Sequence, residues 1–160
     1  MIYRIKEKFW SWGGEFCIDN DQNIPCYYVK GEAFSWGNKL SFMDEHKNEL
    51  AFISQKLMSW KPLYQIIIDG NVFAEVIKEW SWFNKKFTLD VPGPNDYTII
   101  GSFWKHEYVF MRGGVEVAKV SKELWTWTDS YGVEIVDDED HVAILCACIV
   151  IDQVLHDSGD

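Results

Sequence analysis

Ser59-Trp60-Lys61-Pro62-Leu63-Tyr64-Gln65-Ile66-Ile67-Ile68-Asp69-Gly70 holds the motif that decides the architecture. A tryptophan is followed by a short turn, then by a large apolar residue, a spacer and a second apolar residue. The chain writes this motif six times. Its markers Trp12, Trp36, Trp60, Trp82, Trp104 and Trp127 are separated by 24, 24, 22, 22 and 23 residues. Ser or Thr precedes the marker in five of the six copies. The first apolar residues are Phe16, Leu40, Tyr64, Phe87, Tyr108 and Tyr131; the second are Ile18, Phe42, Ile66, Leu89, Phe110 and Val133. All nine tryptophans fall inside these units. A rule kept six times is an internal repeat, and it dictates the fold.

Within a unit the side chains alternate with period two. Phe87, Leu89 and Val91 alternate with Lys86, Thr88 and Asp90; Val72, Ala74 and Val76 with Phe73, Glu75 and Ile77; Tyr131, Val133 and Ile135 with Gly132, Glu134 and Val136. This is strand periodicity in Val/Ile/aromatic-rich sequence. Each unit has room for two strands of about six or seven residues and two turns. Turn-forming residues recur at one end of each hairpin: Asp19-Asn20-Asp21, Asp44-Glu45-His46, Asp69-Gly70-Asn71, Pro92-Gly93-Pro94, Arg112-Gly113-Gly114 and Asp137-Asp138. The other turn lies at the tryptophan, as in Gly13-Gly14 and Gly37-Asn38. The units are too short for propeller blades, which need four strands in about 40 residues. They predict about twelve antiparallel strands, and closure of the sheet removes its edges. A barrel of that size is wider than its own side chains can fill.

The plug follows the last unit. Val142-Ala143-Ile144-Leu145-Cys146-Ala147-Cys148-Ile149-Val150-Ile151 is apolar on every side, and such a helix must be buried. Ten uninterrupted apolar residues are too few to span a bilayer, which takes around twenty. The acidic run Asp137 to Asp140 suits the positive end of a helix dipole. The expectation is therefore one domain over residues 1–160: a mainly β, closed antiparallel barrel of about twelve strands, built from six hairpin repeats over 2–140 around a buried helix at 141–157.

Bulk properties restrict the function classes. The chain is 48% apolar and 16% aromatic, which excludes a disordered protein. A net charge of −10 argues against nucleic-acid binding, which needs a basic footprint, and weakens general attraction to anionic membranes. The N-terminal residues lack the apolar core of a secretory signal, so the expected location is cytoplasmic, with peripheral membrane attachment as a variant. The four cysteines, Cys17, Cys26, Cys146 and Cys148, lack zinc-site spacing and read as reduced, small apolar core residues.

Several stretches resemble the bacterial branch of the LURP-one-related family, grouped with the phospholipid scramblases in the tubby C-terminal-like superfamily. They are Lys6-Glu7-Lys8-Phe9, Lys39-Leu40-Ser41-Phe42, Gln55-Lys56-Leu57 before Ser59-Trp60, Phe87-Thr88-Leu89-Asp90-Val91-Pro92-Gly93, Thr128-Asp129-Ser130-Tyr131-Gly132-Val133 and the helix ending at Asp152. The likeness runs from about Ile2 to Asp157. It implies a barrel closed around its terminal helix and a binding role, with phosphoinositide recognition through surface cations as in tubby domains. It also implies a calcium-responsive acidic segment before the helix, as in scramblases. Plant relatives are associated with defence, with no reaction assigned.

Phospholipid headgroup binding needs several cations on one surface. The candidates are Lys56, Lys61, Lys78, Lys85 and Lys86, with Trp80, Trp82 and Phe83 beside them at a membrane interface. The bland alternative makes the lysines solvated strand residues and the tryptophans caps on the core. Calcium fares worse: a twelve-residue loop from Asp129 puts Tyr131 and Val133 at ligand positions and Glu134 where glycine is required. His46, His106, His141 and His156 stand alone in sequence, without HExxH spacing or a nucleophile partner. The reading is thus a non-catalytic binding module with no metal and no cofactor. Its partner is an anionic phospholipid headgroup or a protein; a scramblase-like membrane-active protein is the alternative.

Overall fold

Five of the six repeats fold into hairpins, and the sixth supplies the last strand, which pairs with the first strand of the chain to close the barrel wall. The computed structural model describes residues 1–6, 14–32, 38–79, 85–124 and 129–158. Its strands are β1 (Ile2–Lys6), β2 (Glu15–Asn20), β3 (Pro25–Gly31), β4 (Lys39–Asp44), β5 (Glu49–Gln55), β6 (Leu63–Ile68), β7 (Asn71–Glu79), β8 (Lys86–Asp90), β9 (Tyr97–Ser102), β10 (Glu107–Arg112), β11 (Val115–Ser121) and β12 (Ser130–Ile135). Helix α1 (His141–Asp157) follows. Every strand pairs antiparallel with its chain neighbours, and β1 pairs β12, with Ile2 opposite Glu134. The barrel is closed, as the repeat requires.

Period-two alternation turns the second apolar residue of every unit inward. Ile18, Phe42, Ile66, Leu89, Phe110 and Val133 are all fully buried. The first apolar residues join them, except Phe16, which is half-buried and packs on the edge of the core. Helix α1 fills the remaining lumen, and every residue from Ala143 to Leu155 is buried. Its small residues Ala143, Cys146, Ala147 and Cys148 let it fit close to the wall. Cys146 and Cys148 are core residues as expected, whereas Cys17 and Cys26 are only half-buried. Among the described residues, no helix is long and apolar enough to cross a membrane.

Alternation breaks at one recurring place. The registers of β2–β3, β4–β5, β6–β7 and β10–β11 each shift by one residue close to the hairpin turn. The extra residues are Cys26, Leu50, Phe73 and Val117, and all four pack against the core at the barrel mouth. Such bulges bend and twist a strand inward, which a closing barrel needs. The bulge at Phe73 also corrects the expected face of Val72: it is exposed, not aligned with Ala74 and Val76.

The hairpins define two rims. Helix α1 enters at the rim formed by the β2–β3, β4–β5, β6–β7, β8–β9 and β10–β11 turns. Asp140 caps it, accepting from the Ala143 amide at 3.0 Å. The neighbouring Glu139 accepts from Arg112 and from the Tyr97 hydroxyl, both at 2.7 Å. The helix ends at the exit rim, where Asn38 donates to Asp157 at 2.6 Å. Trp60 and Trp104 belong to exit-rim connections. The other tryptophans, with Phe83, Gly13 and Gly37, lie outside the described residues.

Gly101, in β9, is demanded by this packing. Its φ is +141°, and a Cβ there would stand 2.5 Å from the Glu107 carbonyl oxygen and 2.6 Å from Tyr108 Cα. Gly101→Ala is expected to cost about 2 kcal/mol of stability, read as a lower urea midpoint at unchanged slope.

Candidate ligand-binding surface

The five lysines singled out by sequence fall in four settings. Lys56 and Lys61 bracket the exposed β5–β6 connection, and Lys61 is held by Glu79 at 2.7 Å. Lys78 lies opposite the buried Phe87, so it takes the inner side of the pleat at the exit mouth. Lys86 lies opposite Glu79 on the outer side. Glu79 therefore stands between Lys61 and Lys86. Lys85 is separate again, its Nζ 5.6 Å from the centroid of the Trp104 ring. The sheet thus parts Lys78 from Lys86 and inserts a carboxylate beside Lys61.

A different grouping appears next to Lys85. An open groove of about 880 Å³ runs over the outer side of β9, β10 and β11, lined by Lys85, Ile100, Trp104, Glu107, Val109 and Lys119 among others. The register lines up Lys86, Ile100, Val109 and Lys119 across four strands. An apolar floor is thereby flanked by a lysine on each side. Ile100 is 43% exposed and Trp104 44% exposed, so the floor is open to solvent. Glu107 accepts from Ser121 Oγ at 2.8 Å and from the Lys122 amide at 2.9 Å, which turns its charge toward the protein. Sequence reasoning missed Lys119 and Ile100. The signal available was an apolar pair, Ile100 and Val109, on faces that the alternation assigns to solvent.

The entry rim has the opposite character. Its turns carry Asp44, Glu45, Asp69, Asp96, Asp137 and Asp138. Burial and the neighbouring Asp96 push the Asp90 carboxyl up. Hydrogen bonds from Asn48 hold Asp44 below its ordinary range. In the acidic segment before α1, Asp140 serves as cap and Glu139 is tied to Arg112 and Tyr97. Among the described residues, no group of three or more His, Cys, Asp or Glu is arranged to hold a metal ion.

Inside the barrel, Asp152 of α1 joins the β9–β10 connection to β12. It accepts from His106 Nε2 at 3.1 Å and from the Tyr131 hydroxyl at 2.5 Å, and the two rings stack with centroids 4.4 Å apart. His106, isolated in sequence, thus has a buried acidic partner. Burial, then the Asp152 charge, pushes the Tyr131 phenol well above its ordinary range, so it stays a donor. This cluster fixes the helix within the wall.

Comparison with known proteins agrees with this architecture. The LURP-one-related family pattern matches residues 1–152. The chain is 33% identical over 156 residues to YxjI, an uncharacterised protein of Bacillus subtilis (strain 168), covering 98% of this chain and 94% of that protein. An X-ray structure of a protein from Arabidopsis thaliana superposes with a TM-score of 0.66 at 13% identity, covering 97% of this chain and 91% of the other. The fold is the tubby-like barrel, and both family and fold support a binding module in general terms. With its repeat, its barrel and its enclosed helix matched along almost the whole chain, this protein belongs to the LURP-one-related family.

Proposed function

We propose that the protein is a non-catalytic binding module for the anionic headgroup of a phospholipid, held in the groove over β9–β11. The observation that carries this reading is the exposed Ile100 and Trp104 floor with Lys85 on one side and Lys119 on the other. A headgroup phosphate suits the lysines, and the glycerol and upper acyl carbons suit the apolar floor. Of the five lysines expected from sequence, Lys85 lines the groove and Lys86 continues its outward row. The membrane-active alternative needs α1 to leave the barrel. Its buried residues and its Asp152 contacts weigh against that. Attachment to the membrane is then peripheral.

The test is co-sedimentation with phosphatidylcholine vesicles, with and without phosphoinositide. The double variant Lys85→Glu/Lys119→Glu is expected to lose about tenfold or more of the phosphoinositide-dependent binding, and the wild-type binding to fall with salt. Lys47→Glu, in the β4–β5 turn of the entry rim and outside the groove, is expected to leave it unchanged. Equal loss in both variants would reduce the effect to overall charge and sink the groove.

A further inference from the structure

The β5–β6 connection exposes three large apolar side chains in four residues. Trp60 is 103% exposed, Met58 95% and Leu57 55%. An isolated apolar residue on a surface is ordinary, but a contiguous exposed group marks an interaction site. We propose that this connection is a membrane-inserting tip. In this arrangement Leu57, Met58 and Trp60 enter the boundary between headgroups and acyl chains, while Lys56 and Lys61 stay at the level of the phosphates. The proposal deepens the headgroup reading above and rests on it for the choice of a lipid surface.

Three observations favour a bilayer over a protein partner. The tip is convex and small. Even fully covered, three side chains of at most roughly 150–250 Å² each fall short of the ~800 Å² that each side of a stable protein interface contributes. Its composition is that of an interfacial anchor: a tryptophan, whose ring has an apolar body and a polar N–H, beside flexible apolar chains and two lysines able to snorkel. Of these two lysines, Lys61 is paired with Glu79 at the surface, the side chains 45% and 33% exposed, and such a pair contributes little to stability.

The third observation is the polarity of the barrel. Asp44, Glu45, Asp69, Asp96, Asp137 and Asp138 cluster at the entry rim, so an anionic surface repels that end. The tip and Trp104 sit at the exit rim, where lysines such as Lys56, Lys61, Lys85 and Lys105 are mixed with carboxylates such as Glu15, Glu79 and Asp157, so this end lacks the one-sided negative charge of the entry rim. A barrel charged in this way meets an anionic membrane exit rim first. The net charge of −10 then orients the molecule instead of preventing contact.

The experiment compares wild type with Trp60→Asp, Met58→Asp and Val72→Asp. Val72 is 51% exposed at the entry rim and serves as the charge-matched control. Each variant is sedimented with phosphatidylcholine vesicles, with and without phosphoinositide, and titrated with a water-soluble short-chain phosphoinositide. Melting curves confirm folding, which is secure because the altered side chains touch solvent. The expected result is a loss of vesicle binding of about tenfold or more for Trp60→Asp and Met58→Asp, unchanged binding of the soluble lipid, and no effect of Val72→Asp. Unchanged vesicle binding in Trp60→Asp overturns the tip while leaving the groove intact. Loss of the soluble lipid as well, equal loss in Val72→Asp, or no vesicle binding by wild type also overturns it. Binding that needs Trp60 but ignores phosphoinositide keeps the tip and removes the headgroup reading.

Discussion

Asp152→Ala is expected to destabilise the protein by about 3 kcal/mol, because it leaves two buried hydrogen-bonding groups without their acceptor. The carboxylate side chain is 4% exposed and its His106 partner 14%. Removing it leaves His106 and the Tyr131 hydroxyl buried without their acceptor, and water has no easy route through a lumen filled by α1. The His106 Nδ1 atom has no hydrogen-bond partner among the described residues, so after the substitution the ring would keep its stacking on Tyr131 but no hydrogen bond among them. Asp152→Asn keeps an acceptor for Tyr131 and should cost less. Urea unfolding of both variants checks the order; equal loss in the two would show that volume, not hydrogen bonding, matters at this site.

Above about pH 9 the protein is expected to lose stability steeply. Tyr108 and Tyr131 are held well above their ordinary 10.0, and Cys146 and Cys148 above 9.0, in every case chiefly by burial. Tyr64 and Tyr3 are raised by the same cause, and Tyr97 is pushed up to about 12. A raised folded value means that the native state keeps protons the unfolded chain gives up. The stabilisation is complete below the unfolded values and falls once pH exceeds them. Each such group removes ~1.4 kcal/mol per pH unit beyond its unfolded value. Two tyrosines and two cysteines together reach the order of 5 kcal/mol per unit, comparable with a whole domain's stability. Tyrosinate absorbance followed beside circular dichroism provides the measurement. The buried phenols should ionise only as the sheet signal collapses; smooth titration near pH 10 with the barrel intact would refute this account.

The barrel was legible because its information is local and repeated. Each inward pair, such as Tyr64 and Ile66 or Phe87 and Leu89, lies two residues apart in one strand. Strand alternation alone assigns such a pair to one face. The axial helix was legible because Val142 to Ile151 offers no polar side to water. What escaped needed knowledge of strand partners. The bulge that exposes Val72 is a property of β6 and β7 together. The grouping of Lys85 with Lys119 depends on three intervening strand registers, and Asp152 meets His106 across 46 residues and the width of the lumen. The lysine cluster looked coherent because Lys85 and Lys86 adjoin. Adjacent residues in a strand point to opposite faces, and that rule already separates the inner Lys78 from the outer Lys86.

The pairing of β1 with β12, with Ile2 opposite Glu134, has a bearing on how the molecule is made. A ribosome delivers the chain from its N-terminus, so eleven strands emerge before the one that closes the ring, and the helix that fills the ring comes after all of them. Until then the nascent wall has an apolar concave face and nothing to put in it. High contact order of this kind folds slowly and leaves sticky edges exposed. Tight turns with a positive-φ residue at Asn23, Lys47, Gly70 and Gly113, each with a bulge close by, hold four of the hairpins ahead of any interior. The chain therefore stores its fold as five nearly autonomous hairpins and completes it in one concluding act of wrapping, with the axle arriving last.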